Sequence, residues 1–244
     1  MTALLSSELL KLRTTRTALG LLIALLAVTA VGTATTIAIE SDASLASEGW
    51  AHDFPAAAAS AVPLFALVFG VLLYTSEFRH GTITPTLLVT PRRERVGIAK
   101  AVAGLIAGVF LTVAGLAVAV AVLVPWFAAK DVSLAFDGGV IATALAVTTL
   151  AGLWGVLGTA VGGIVRGQVG AIVGSFLWFF VLEPLIGVLT DDVGQYLPGG
   201  AANAVVDQAV DIELSRAGGL AITAAYALAL TVAGIVANAR RDIA

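Results

Sequence analysis

The sequence predicts an all-α membrane protein with six transmembrane helices, an amphipathic helix before the first span and a short helix in the loop after the second. Three observations carry this. Of 244 residues, 59% are hydrophobic and only 12% are charged, where a soluble domain carries about 25% charged residues. The apolar residues gather into runs with little or no charge, each long enough to cross a hydrocarbon core of about 30 Å. The charges lie between those runs and segregate by sign, which the net charge of -3 conceals.

Residues 1–16 place Leu5, Leu9 and Leu12 at helical spacing, with Leu4 alongside. Lys11, Arg13 and Arg16 fall elsewhere on the wheel or toward its end. Such a helix suits the membrane interface, with its basic side chains at the headgroups; the plainer reading is a basic flank to the first span. The spans are expected at 17–39, 54–76, 101–124, 139–165, 169–189 and 217–237, within one domain covering 1–244. The first is longer than the apolar region of a signal peptide and is read as a retained span.

The connections alternate in character. Glu40–Asp53 is an acidic loop with Trp50 near the interface, and Pro125–Gly138 reads as a short turn on the same side. Arg166, Gly167 and Gln168 make a tight turn that sets spans four and five as an antiparallel hairpin. Thr190–Arg216 is acidic, and Ala201–Leu214 within it fits an amphipathic helix at the surface. All Lys and Arg residues other than Lys130 and Arg216 fall on the opposite side from these acidic segments. The positive-inside rule then places both termini in the cytoplasm.

The most charged connection, Ser76–Lys100, is too long and too patterned to be only a linker. Thr84 and Pro85 read as a helix N-cap followed by proline at the first helical position, and Pro91 ends what starts there. A helix over roughly Pro85–Val89 carries Leu87, Leu88 and Val89. Apolar residues held among charges outside the membrane mark a docking surface.

No catalytic constellation is visible. His52 and His80 fall on opposite sides of the membrane, and Ser175 has no histidine at its depth to act as base. None of the three lysines follows the glycine that a phosphate-binding loop requires. The chain is therefore expected not to be an enzyme, and any nucleotide that drives it must bind another subunit. Without cysteine it has neither disulfides nor a cysteine-ligated metal site, and no metal site is expected. Its basic residues sit at the ends of apolar runs rather than on one soluble face, so no nucleic-acid partner is expected. Gly104 and Gly108, the glycines of span four, and Gly170 and Gly174 of span five allow close helix contact. Trp154 and Trp178, near mid-span, are expected to pack inside the bundle. Glu183, next to Pro184 in the fifth span, is costly in lipid unless it meets water or protein. It reads either as a residue lifted to the outer interface by a broken helix or as part of a pathway or outer gate.

Taken together, Glu77, Gly81, Thr82, Leu87, Leu88, Pro91, Arg92, Arg93 and Lys100 stand in an order that resembles the membrane-spanning permease of ABC exporters of the type-two class. The stretch Glu8–Arg13 resembles that family's elbow helix before the first span. The resemblance covers nearly the whole chain. It implies a six-span permease in the cytoplasmic membrane of a bacterium, pairing with an identical or related permease and with separate ATPase subunits that hold ATP and magnesium. The loop after span two would then carry the coupling helix, with Glu77, Gly81, Thr82, Leu87, Leu88, Pro91, Arg92 and Arg93 as the coupling residues. Hydrophobic or amphipathic cargo, such as drugs, peptide antibiotics or lipid-like molecules, fits the resemblance. The competing classes are an ion-coupled carrier or channel, an intramembrane hydrolase and a membrane assembly subunit that transports nothing.

Overall fold

The computed structural model describes residues 2–90, 92–130, 137–190, 193–206 and 214–240, and among these all regular structure is helical. Helix α1 (Thr2–Thr14) passes through Thr15 into α2 (Arg16–Ile39). Two short helices, α3 (Asp42–Leu45) and α4 (Glu48–Ala58), precede α5 (Val62–Arg79). Helix α6 (Ile83–Val89) separates α5 from α7 (Arg93–Lys130), and α8 (Gly138–Val165) follows. Then come α9 (Gln168–Leu177), a π-helical turn at Trp178–Leu182, and α10 (Glu183–Leu189). A 3-10 turn at Gly194–Tyr196 leads to α11 (Pro198–Val206), and α12 (Arg216–Arg240) closes the bundle.

Among the described residues, six stretches are long and apolar enough to cross a membrane: Arg16–Ile39, Glu48–Arg79, Arg93–Lys130, Gly138–Val165, Gln168–Leu189 and Arg216–Arg240. Outside α6, the structure differs from the sequence reading at four places. The expected loop Glu40–Asp53 is mostly helical, because serine side chains cap both of its helices. Ser41 accepts the Ser44 N–H at the start of α3, and Ser47 accepts the Trp50 N–H at the start of α4, each at 3.2 Å. Helix α7 runs past Pro125 to Lys130, so the expected turn does not begin at the proline. One missing N–H is tolerated there, because Phe127 is buried against Trp50 and Lys130 Nζ reaches Asp42 at 2.6 Å. In span five the irregularity precedes Glu183 and Pro184. The π-turn takes it up, and Pro184 then sits in the first turn of α10, where its missing N–H costs little. The outer helix begins at Pro198 rather than Ala201, and residues 207–213 of the expected helix lie outside the described residues.

Helix α8 is the centre of the molecule and packs against α5, α7 and α12. Glycine makes those contacts possible. A Cβ on Gly104 would lie 2.6 Å from the Gly155 carbonyl oxygen, and one on Gly108 or Gly158 would overlap the facing backbone more severely. Span five departs from this pattern. A Cβ on Gly174 would meet nothing, and one on Gly170 would meet only Val165. These two glycines therefore do not mediate helix contact, and span five is the least buried of the six. Trp154 is buried against Phe179, with ring centroids 4.6 Å apart, whereas Trp178 is 37% exposed and lies outside the packed core.

Candidate functional site

The end of the bundle that carries α1 and the last turn of α12 also carries α6. Its construction starts at Gly81, which has φ 68 degrees. That is a left-handed conformation, which residues with a Cβ resist. The Gly81 N–H donates to the Phe78 carbonyl at 3.3 Å, and the Thr82 N–H donates to the Glu77 carbonyl at 2.9 Å. That pair of bonds is a Schellman C-cap, and it ends α5 and turns the chain straight into α6. Thr82 is the N-cap of α6, so the helix covers Ile83–Val89 and starts two residues before the expected Pro85. The difference arises because proline is tolerated anywhere in the first turn, while Ile83 is buried and anchors the start. Leu88 and Val89 are 77% and 85% exposed, and Leu87 is half-buried.

Where α5 ends, just before the Gly81 turn, Glu77 joins a group of four charges that sequence reasoning did not bring together. Lys100 is fully enclosed, at 0% exposure, with Glu8 at 1% and Glu77 at 2%. Its Nζ lies 3.0 Å from Glu8 Oε2, 3.0 Å from Glu77 Oε1 and 3.0 Å from the Leu73 carbonyl oxygen. It also sits 5.4 Å from the centre of the Tyr74 ring, within reach of a cation–π attraction. Lys11 pairs with Glu8 Oε1 at 2.8 Å and with Glu77. Two carboxylates and two ammonium groups thus tie α1, the end of α5 and the start of α7 together. Buried charges persist only when paired in this way. Burial pushes the Glu8 carboxyl up, but the Lys100 charge and the hydrogen bonds from Lys11 and Lys100 outweigh it and hold it below its ordinary value. Burial pushes the Lys11 ammonium down, and its bonds to Glu77 and Glu8 bring it above its ordinary value.

A signal for this group was present in the sequence. Glu8 falls on the same stripe of α1 as Leu4, Leu5 and Leu12, and a carboxylate inside an apolar stripe demands a buried cation. Glu77, expected among the coupling residues, is buried, and its carboxylate pairs with Lys11 and Lys100 inside the bundle. Arg93 is half-buried, and its Nη1 donates to the Asn238 carbonyl at 2.6 Å, which fastens the start of α7 to the end of α12. Arg92 is exposed beside α6, and Pro91 lies outside the described residues.

Glu183 and Pro184 are at the opposite end and do not meet this group. Glu183 is buried, and its Oε1 accepts the Gly200 N–H at 2.8 Å in the first turn of α11. A carboxylate at a helix N-terminus satisfies a donor that the helix itself leaves open. That geometry makes Glu183 a pin between span five and the outer helix. Among the described residues, no three His, Asp or Glu side chains converge to hold a metal ion. No protein-family model matches the chain, and none of the curated proteins matches it.

Proposed function

We propose that the chain is the permease subunit of an ATP-driven exporter, with α6 as the element on which a separate ATPase subunit acts. The observation that carries this reading is the placement of α6. It presents exposed Leu88 and Val89 beyond the apolar spans, and it is fixed at both ends to helices that run through the bundle. Force on α6 passes to α5 through the Gly81 turn and to α7 through the short link before Arg93. Both helices pack along α8, and the buried charges lock their ends to each other and to α1. A cleft between α2 and α4 has a volume of about 160 Å³ and is lined by Val28, Ile37, Trp50 and Phe54 together with the hydroxyl side chains of Thr29, Thr33, Thr36 and Ser60. A mainly apolar lining with a few hydroxyls favours hydrophobic or amphipathic cargo. In this reading a second permease copy pairs with the chain, and span five, the least buried, offers apolar surface for it. The membrane is the cytoplasmic membrane of a bacterium, and ATP with magnesium belongs to the ATPase.

Docking through one leucine-sized side chain is worth about 1.5–3 kcal/mol. Leu88→Asp combined with Val89→Asp changes two side chains that support nothing else in the fold. The double variant should insert and melt like the wild type, yet lose the ATP-hydrolysing subunit that the wild type retains in detergent. Retention of an ATPase by the variant at the wild-type level would remove α6 from the coupling role, and absence of any ATPase from the wild type would overturn the export reading.

A further inference from the structure

A second polar feature lies at the same end as α6 but on the flank of the bundle, where α1, α2, α5 and α9 leave a cleft of about 100 Å³. Its lower wall is apolar, from Phe69, Leu72 and Ala18, and its rim is polar, from Thr15, Thr17, Arg79 and His80. Lys11 also lines it, but the Lys11 charge is answered by Glu8 and Glu77. Arg79 differs. It is exposed, its Nη1 donates to the Gln168 side-chain oxygen at 3.2 Å, and among the described residues no carboxylate pairs with it. Among those residues no carboxylate lines the cleft either. Thr15, the N-cap of α2, makes no side-chain capping bond, which leaves its hydroxyl to the cleft.

We propose that this cleft holds the phosphate of an anionic phospholipid. A guanidinium matches phosphate in charge and in planar donor geometry, and hydroxyls at the rim add neutral hydrogen bonds. The cleft opens where the spans meet the interface, the depth at which a lipid phosphate lies, and basic pockets between spans at that level recruit anionic headgroups. Its volume is on the scale of the phosphate group itself, and the acyl chains then follow the apolar wall of Phe69 and Leu72 down the outside of the bundle. The site is independent of any ATPase, so it stands or falls separately from the export reading.

The test uses the full chain purified in detergent and depleted of lipid. Binding of phosphatidylglycerol and of phosphatidylcholine is compared by native mass spectrometry, with inorganic phosphate as a competitor. Phosphatidylglycerol should bind wild type well above phosphatidylcholine. Arg79→Gln should weaken it roughly tenfold, the scale of one charge-assisted hydrogen bond. Arg79→Lys should keep most of the preference, and Arg240→Gln, an exposed cation at the same end outside the cleft, should keep all of it. Equal binding of the two lipids overturns the proposal, as does equal loss in Arg79→Gln and Arg240→Gln. Displacement by millimolar inorganic phosphate would assign the cleft to a soluble anion and overturn the lipid assignment.

Discussion

Lys100 holds carboxylates from two other helices, so its removal leaves two buried carboxylates to the partly exposed Lys11 alone. Lys100→Met should therefore destabilise the protein by about 3–5 kcal/mol, the range for breaking a buried ion pair from one side. Adding Glu8→Gln should recover part of the loss by removing one of two facing negative charges, and a melting series in detergent would show it. If the double variant melts below Lys100→Met, the charges are not coupled as the distances imply. Titration gives an independent check. Glu8 stands below its ordinary carboxyl value, so its contribution is complete above that value and is lost as pH falls through the lowered one. Lys11 stands above its ordinary value, so its contribution is complete below that value and is lost as pH rises through the raised one. Stability should hold across neutral pH and fall only once pH drops below the ordinary carboxyl range, and Glu8→Gln should flatten that acid fall. An unchanged acid fall in Glu8→Gln would show that other groups cause it. The sequence names all four residues, and Glu8 announces itself by standing in an apolar stripe. What it does not disclose is that Glu8 and Lys100, far apart in the chain, face each other, because that depends on how α1 lies across α7.

At the scale of elements, turn chemistry was legible and boundaries were not. Pro85 and Gly81 both signal the short helix after span two, yet proline fits several positions in a first turn and so leaves the start undecided. Gly81 is the more decisive residue, because its φ is positive. Gly81→Ala must adopt a left-handed conformation at a cost of about 1–2 kcal/mol or release the turn. Hydrogen exchange of α6 should then rise relative to α8, and unchanged protection of α6 would show that Ile83 alone holds it. The π-turn in span five had no sequence signal beyond the nearby proline, since the strain can be absorbed on either side of it. Glu183 shows the reverse case, in which one costly residue marks a contact. Glu183→Ala strands the Gly200 N–H. The loss should cost about 1–3 kcal/mol. Glu183→Gln keeps an acceptor in place and should cost much less. Equal losses in the two variants would mean that negative charge, rather than a hydrogen-bond acceptor, is what α11 requires.

For the whole molecule, the distribution of charge and the packing of helices answer different questions. Packing places α3, α4 and α11 at one end, where α11 meets α4, and α1, α6 and the last turn of α12 at the other. Charge supplies an expected direction: the basic residues gather at the end that carries α6, the end that the positive-inside rule would keep in the cytoplasm. The chain has no cysteine, so single introduced thiols report the orientation without background. Ala43, Asn203 and Thr84 are all exposed, the first two at the acidic end and the third on α6. In intact cells a membrane-impermeant maleimide should label cysteine at Ala43 and at Asn203 and spare cysteine at Thr84. Permeabilised cells should label all three. Labelling at Thr84 alone in intact cells would invert the molecule and put α6 where no cytoplasmic ATPase reaches it. Labelling at only one of Ala43 and Asn203 would place them on opposite sides of the membrane, which six spans in this order do not allow.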